Sequence, residues 1–334
     1  MSAVTAPAET RPLKFWQGIN QALVEEMDRD ERVVLVGEDV GRPGGPYGVT
    51  RGLLDRYGEL RVRDTPISEA VLVGLGVGSG AVGLRPIVEI MFFDFAMIAM
   101  DQIVNQAAKF RYFSGASMPL TIRTMCGAGG PNGAQHSQNF EAWYSAVPGL
   151  KVVMPSNAAD AKGLLKSSIR DDDPVLFIET LGLLPVRRDT PTGGEHLVPI
   201  GVADVRRTGT DVTIVAIGRL VDRALEAAER LESEGISAEV VDPRSLQPLD
   251  AETILGSIAR TGRLVVAQEA TSPYSFASEI CALAVESCFS DLKAAPVRVT
   301  SPFINVPTPV PLAEARVPGA DAVVDAVRGV MSAG

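Results

Sequence analysis

Short runs of aliphatic and β-branched residues alternate with longer segments of helical periodicity along the whole chain. In the first half the runs are Arg32 to Val36, Val62 to Arg63, Pro86 to Ile90, Leu120 to Arg123, Lys151 to Met154 and Val175 to Glu179. Between them, Ile98 to Phe113 sets Ile103, Ala107 and Phe110 on one side of a helix, and Ala158 to Ile169 does the same with Ala161, Leu164, Leu165 and Ile169. Strand and helix in alternation predict an α/β architecture of parallel sheets covered by helices.

The stretch Leu184 to Gly201 carries Pro, Gly and mixed charges (Arg187, Arg188, Asp189, Glu195) with no periodicity, and reads as a linker. Beyond it the pattern restarts, with strands at Asp211 to Ile217, Ala238 to Asp242, Leu264 to Glu269 and Val297 to Thr300. Helices follow at Val221 to Ser233, Ala251 to Arg260 and Ser278 to Cys288. The 334 residues suit two domains of about 150 each. The expected organisation is a mobile lead-in over residues 1–14, one α/β domain over residues 15–190 and a second over residues 191–334.

A formal net charge of −10 offers no basic footprint for nucleic acid or anionic lipid. Ala70 to Leu84 is uncharged but too short to span a bilayer before Arg85, Glu89 and Asp94 interrupt, so a buried helix is expected. Cys126, Cys281 and Cys288 lack metal-site spacing and, with no secretory signal at the N-terminus, read as reduced core residues of a cytoplasmic protein.

Ligands of parallel sheets gather at the carboxyl ends of strands, so the segments after the strands carry the candidate chemistry. Glu38 and Asp39 follow the first strand and precede a Gly-rich stretch; a solvated acidic loop is the plain alternative. In Asp64-Thr65-Pro66-Ile67-Ser68-Glu69, Ser68 or Thr65 can cap a helix that Glu69 begins, and an apolar helix would desolvate that carboxylate and raise its pKa. Gly78-Ser79-Gly80-Ala81-Val82-Gly83 fits the dinucleotide pattern, but it lies inside the apolar helical run, where small residues for close packing explain it better. The Gly-rich loop Gly127 to Gln138 holds His136, one of two histidines, and suits either proton transfer or a structural role. Asp171 to Asp173 crowd a helix C-terminus, where Arg170 with solvent, or a bound cation, must offset the repulsion.

These segments together resemble the β-subunits of the decarboxylating 2-oxo acid dehydrogenases, from about Phe15 to about Val330. The matching pieces are Gly37-Glu38-Asp39-Val40, Arg63 to Glu69, Gly83-Leu84-Arg85-Pro86-Ile87-Val88-Glu89, Gln135-His136-Ser137-Gln138, Pro148 to Val153, Ala161 to Lys166 and Ile169-Arg170-Asp171. The resemblance implies a pyrimidine-type thiamine-diphosphate-binding domain followed by a transketolase C-terminal-like domain, acting within an α2β2 assembly. It implies that Glu69 hydrogen-bonds N1′ of the aminopyrimidine, that Phe95 stacks on that ring, and that Glu38, Ile67 and Met91 line the same pocket. His136 matches a histidine that assists substrate binding and proton transfer as the acyl group passes to lipoamide. Ser168, Ile169, Asp171 and Asp173 match a monovalent-cation (K+) loop of some relatives. No Gly-Asp-Gly motif followed by Asn is present. Mg2+ and the diphosphate are therefore expected on an α-type subunit, with a lipoyl-bearing acyltransferase core as a further partner and a small 2-oxo acid as substrate.

Val306-Pro307-Thr308-Pro309-Val310-Pro311, the segment Ala270 to Ser278 and the loop Met125 to Gly133 depart from the common family pattern. Two other readings stay open from sequence: the C-terminal half of a split transketolase or acyloin-forming ligase, and a non-catalytic scaffold subunit.

Overall fold

The computed structural model describes residues 9–333. The first half runs β1 (Thr10–Lys14), α1 (Phe15–Arg29), β2 (Val33–Gly37), α2 (Leu53–Tyr57), β3 (Val62–Asp64), α3 (Glu69–Ala81), β4 (Arg85–Ile90), α4 (Phe110–Ser114), β5 (Thr121–Cys126), α5 (Glu141–Ser145), β6 (Lys151–Val153), α6 (Ala158–Arg170), β7 (Val175–Thr180) and β8 (Arg187–Pro191). The second runs β9 (Asp204–Arg207), β10 (Val212–Ala216), α7 (Leu220–Glu232), β11 (Ala238–Asp242), β12 (Ser245–Gln247), α8 (Ala251–Thr261), β13 (Leu264–Thr271), α9 (Phe276–Cys288), β14 (Val297–Ser301), α10 (Val310–Arg316) and α11 (Ala320–Ser332).

A seven-stranded sheet has the order β12-β6-β7-β5-β4-β2-β3, parallel except at β12, and a five-stranded sheet has the order β14-β13-β10-β11-β9, parallel except at β9. The central strands are buried along their whole length, and charged residues among them, Glu89, Arg123 and Glu179, pair with one another. On one face of the first sheet α1 crosses α6 closely: a Cβ on Gly18 would lie 2.5 Å from the Ala158 carbonyl oxygen. On the other, Gly76 of α3 lets the helix settle against Val88 and Leu120.

Several sequence expectations are corrected. Part of the supposed lead-in and part of the supposed linker form an antiparallel ribbon, with Arg11 opposite Thr190 and Lys14 opposite Arg187. Most of its side chains are exposed, so it carries no alternation to read. Ile98 to Phe113 is not one α-helix: a π-helical turn, Gln102–Ala107, precedes α4 and keeps Ile103 and Ala107 in the core. Ser68 stands at the N-cap of α3 without a side-chain cap bond, whereas Asn157 and Asp250 do cap α6 and α8.

The halves interlock. β12 belongs to the second half in sequence but extends the first sheet, and the Met154 N–H donates to the Arg244 carbonyl. Beside it the Ser156 hydroxyl donates to buried Asp242 at 2.5 Å, and Arg244 reaches Asp160 at 3.2 Å. Burial, and then the charge of Asp160, push the Asp242 carboxyl from 3.8 up to about 7. A carboxyl raised in this way favours folding most below its unfolded pKa, and that contribution fades as pH climbs through the folded one. The stability difference between Asp242→Asn and wild type is therefore expected to move in the variant's favour from about pH 4 to about pH 7 and then to level off. Denaturant titrations at stepped pH check this; a difference that does not vary with pH contradicts it.

Candidate active site

Strands β3, β2, β4 and β5 are contiguous and parallel, and their carboxyl ends share one edge of the sheet. Gly37 lies opposite Asp64 on one side and Glu89 on the other, and Ile90 lies opposite Thr124. Glu38 leaves β2 at this edge, Thr65 to Glu69 leave β3, and Met91 leaves β4. Phe95 sits in the 3-10 turn Phe93–Met97, and the loop bearing His136 follows β5. All six candidate pocket residues thus emerge from one end of four neighbouring strands.

Glu69 opens α3 and is 5 % exposed. Glu38 is half-buried and one of its carboxylate oxygens, Oε1, is shut off from water without a partner, as is Thr65 Oγ1. Burial raises the Glu38 pKa, and the charges of Glu69 and Asp39 push it the same way, against a hydrogen bond from the Ser68 N–H. The His136 ring stands edge-on between Phe92 and Phe95, 5.1 Å from each centroid at interplanar angles of 84° and 88°. Phe92 was not picked out from sequence; its spacing of three from Phe95, across the start of a tight turn, was the available signal. Asp94, also missed, fixes the far end of the loop by accepting from the Gln138 backbone at 3.3 Å and side chain at 2.7 Å.

Beneath this edge Arg123 is buried between two carboxylates, with Nη1 2.5 Å from Glu89 Oε2 and Nη2 2.7 Å from Glu179 Oε1. Burial opposes the guanidinium charge, but the two carboxylates outweigh it and raise its pKa. Burial together with Glu89 pushes Glu179 up to about 7.

Ile67, 82 % exposed, and Val71, 69 % exposed, continue through Leu75 to Val82 as an apolar outer band along α3. The expected buried helix is buried on one side only: Leu72, Val73, Gly76 and Gly80 pack inward while Val71 and Leu75 are exposed. The packing account of the glycine pattern holds for Gly80, whose Cβ would meet Met118 at 3.1 Å, but Gly78 and Gly83 face open space.

The acidic loop after α6 is balanced by the chain itself. Arg85 donates to the Ile169 and Asp171 carbonyls, Lys151 reaches both Asp171 carboxylate oxygens at 2.7 Å, and Arg111 pairs with Asp173. Ser168 Oγ turns back to the Leu164 carbonyl, and Arg170 pairs with Glu26 instead. These side-chain cations leave the carboxylates no unmet charge for an ion to offset. A K+ ion at Ser168, Ile169, Asp171 and Asp173 would therefore be held by backbone carbonyls rather than by uncompensated carboxylate charge.

The chain matches the family "Transketolase, pyrimidine binding domain" over residues 11–187 and "Transketolase, C-terminal domain" over residues 201–323. It is 46% identical over 309 residues to the mitochondrial pyruvate dehydrogenase E1 component subunit beta of Dictyostelium discoideum, covering 91% of this chain and 87% of that one. It is 45% identical over 294 residues to the 2-oxoisovalerate dehydrogenase subunit beta of Bacillus subtilis (strain 168), covering 87% and 90%. To the acetoin:2,6-dichlorophenolindophenol oxidoreductase subunit beta of Cupriavidus necator it is 44% identical over 336 residues, covering 97% and 99%. Among solved structures, one titled "Split gene transketolase, inactive beta4 tetramer" superposes with a TM-score of 0.79 at 25% identity, covering 96% and 98%.

Replacing Arg123 with Met would strand two buried carboxylates, and a loss of about 3–5 kcal/mol of stability is expected. Urea denaturation measures it; a loss below about 1 kcal/mol would show that the bridge carries no net load.

Proposed function

The chain belongs to the family of transketolase-like subunits that includes the β-subunits of the pyruvate, 2-oxoisovalerate and acetoin enzymes, and from that premise we propose that it holds the aminopyrimidine half of a shared thiamine-diphosphate site. The reaction is the oxidative decarboxylation of a 2-oxo acid with transfer of the acyl group to lipoamide. The observation that carries this reading is the pairing of buried Glu69 with Glu38, whose inner oxygen has no partner, at the shared edge of four parallel strands.

The residues suit an aminopyrimidine. Such a ring offers an amino donor and a ring nitrogen, and the edge offers carboxylates to meet them beside apolar and aromatic side chains at Met91, Phe92 and Phe95. Glu69 would face the ring nitrogen, Phe95 would stack on the ring, and Glu38, Ile67 and Met91 would line the same pocket. When bound, thiamine diphosphate supplies the nucleophilic carbon and the electron sink that decarboxylation requires. His136, held by Phe92 and Phe95, binds the substrate carboxylate and exchanges a proton during acyl transfer.

The diphosphate and its Mg2+ fall to an α-type partner bearing a Gly-Asp-Gly motif, in an α2β2 assembly that can dock on a lipoyl-bearing acyltransferase core. The exposed apolar band of α3, beginning beside the pocket at Ile67, supports a partner at this edge, because contiguous apolar surface is ordinarily covered. Among the described residues no helix is long and apolar enough to cross a membrane; we place the assembly in the cytoplasm.

Glu69→Gln, assembled with the α-type partner, is expected to lose at least about 100-fold in turnover of whichever of pyruvate or 2-oxoisovalerate the wild-type complex oxidises, with assembly unchanged. Steady-state assay with 2,6-dichlorophenolindophenol as acceptor reads this. Full activity in the variant would favour a scaffold role, and ketol transfer between sugar phosphates by the wild-type complex would favour the split-transketolase reading.

A further inference from the structure

The loop that carries His136 leaves β5 at Gly127 and ends where α5 begins at Glu141. Both ends are held by two consecutive residues of the second domain. At the entry, the Ala128 N–H donates to Glu269 Oε1 at 2.6 Å, while Arg219 Nη1 donates to the Ala128 carbonyl at 3.0 Å, so both polar groups of one peptide residue are taken by side chains of the other domain. At the exit, Gln268 Nε2 donates to Glu141 Oε1 at 2.5 Å, and Gln268 Oε1 in turn accepts from the Ala277 N–H at 2.9 Å. Gln268, Glu269 and Glu141 are all buried.

The fit at the entry is tight. Gly127 has φ +83°, and a Cβ there would lie 2.8 Å from both carboxylate oxygens of Glu269. Gly182 is pressed in the same way by Arg219, whose Nη1 would be 2.7 Å from an added Cβ. Arg219 is in turn anchored by Glu314 of α10 at 2.6 Å. Burying a carboxylate, an amide and a guanidinium costs folding free energy unless each is hydrogen-bonded. Here the bonds from the second domain converge on the two ends of one loop, while Asp94 and the aromatic pair of the first domain hold the stretch around His136.

We propose that Gln268 and Glu269, with Arg219 behind them, are positioning residues that set the height of His136 over the pocket, and that this is how the second domain takes part in the reaction. The proposal rests on the reading of His136 given above. None of the three side chains touches the reacting atoms; they act through the loop. A shift of about 1 Å in a reacting group is enough to cost on the order of 100-fold in rate, so a loosened clamp has a kinetic signature without loss of the pocket itself.

The test is a double-mutant cycle in the complex reconstituted with its α-type partner, thiamine diphosphate and Mg2+. It is joined to hydrogen–deuterium exchange of the peptide spanning residues 127–141. Glu269→Ala and Gln268→Ala are each expected to lower kcat for lipoyl transfer by about tenfold or more in the presence of His136, but less than about twofold in a His136→Ala background, because residues acting as one unit are not additive. The peptide is expected to exchange faster in both variants while that spanning residues 38–69 is unchanged. Glu269→Gln, which keeps an acceptor for Ala128, is expected to recover part of the loss. It also carries the test, together with Gln268→Asn, if the alanine variants fail to assemble. Equal fold-losses in both backgrounds, or unchanged exchange of the loop, overturn the clamp. An unaffected His136→Ala single variant withdraws the role of His136 itself, and is told apart by needing no second-domain substitution.

Discussion

Arg123 is the fixed point on which the active edge depends. It is charged, out of reach of water, and bound by carboxylates on the strands to either side, Glu89 of β4 and Glu179 of β7. A buried charge is tolerated only where partners meet it closely, so this side chain fixes the relation of three central strands near their carboxyl ends. The loops that leave those ends carry Met91 and Phe95 on one side and His136 on the other. Gly37 is narrow because Glu89 lies against it, 3.0 Å from where a Cβ would stand, and Glu38 follows directly. One buried bridge therefore sets the floor from which both the carboxylate pair and the aromatic pair rise.

The second consequence of the architecture is that the chain is unfinished at this edge. Its own packing accounts for the inner side of α3 but leaves Ile67, Val71, Leu75 and Val82 bare beside the pocket. The second domain does not cover them; it approaches from the β5 side, where Glu269 and Gln268 meet the ends of the His136 loop. The pocket is thus held from one side by the chain and open on the other, an arrangement suited to a ligand shared between two subunits.

Much of this was legible in the sequence, and the limits have physical causes. Doubly buried strands such as β7 and β10 announce themselves as largely apolar runs, and amphipathic α6 and α7 by their period. The β1–β8 ribbon has little buried surface and therefore no pattern, so charged residues such as Arg187 and Asp189 looked like linker. At the candidate site, Glu38, Glu69, Phe95 and His136 were singled out from their places after strands and their resemblance to known segments, and the fold brings them to one sheet edge. Phe92 was not, although its spacing of three from Phe95 was there to read, and Asp94, Gln268 and Glu269 were not because their contacts reach across tens of residues that no local spacing records. The charge balance of the acidic loop was hidden for the same reason: Arg85, Lys151 and Arg111 are distant from Asp171 and Asp173 in sequence but adjacent in space.

The most direct test of the central claim is calorimetric titration of thiamine diphosphate with Mg2+ into this chain alone, into the α-type partner alone, and into the two together. The account predicts saturable binding with one cofactor per αβ pair only in the mixture, because each chain holds half of the site. Equally tight binding to this chain alone would contradict it, since the diphosphate would then need an anchor within these 334 residues.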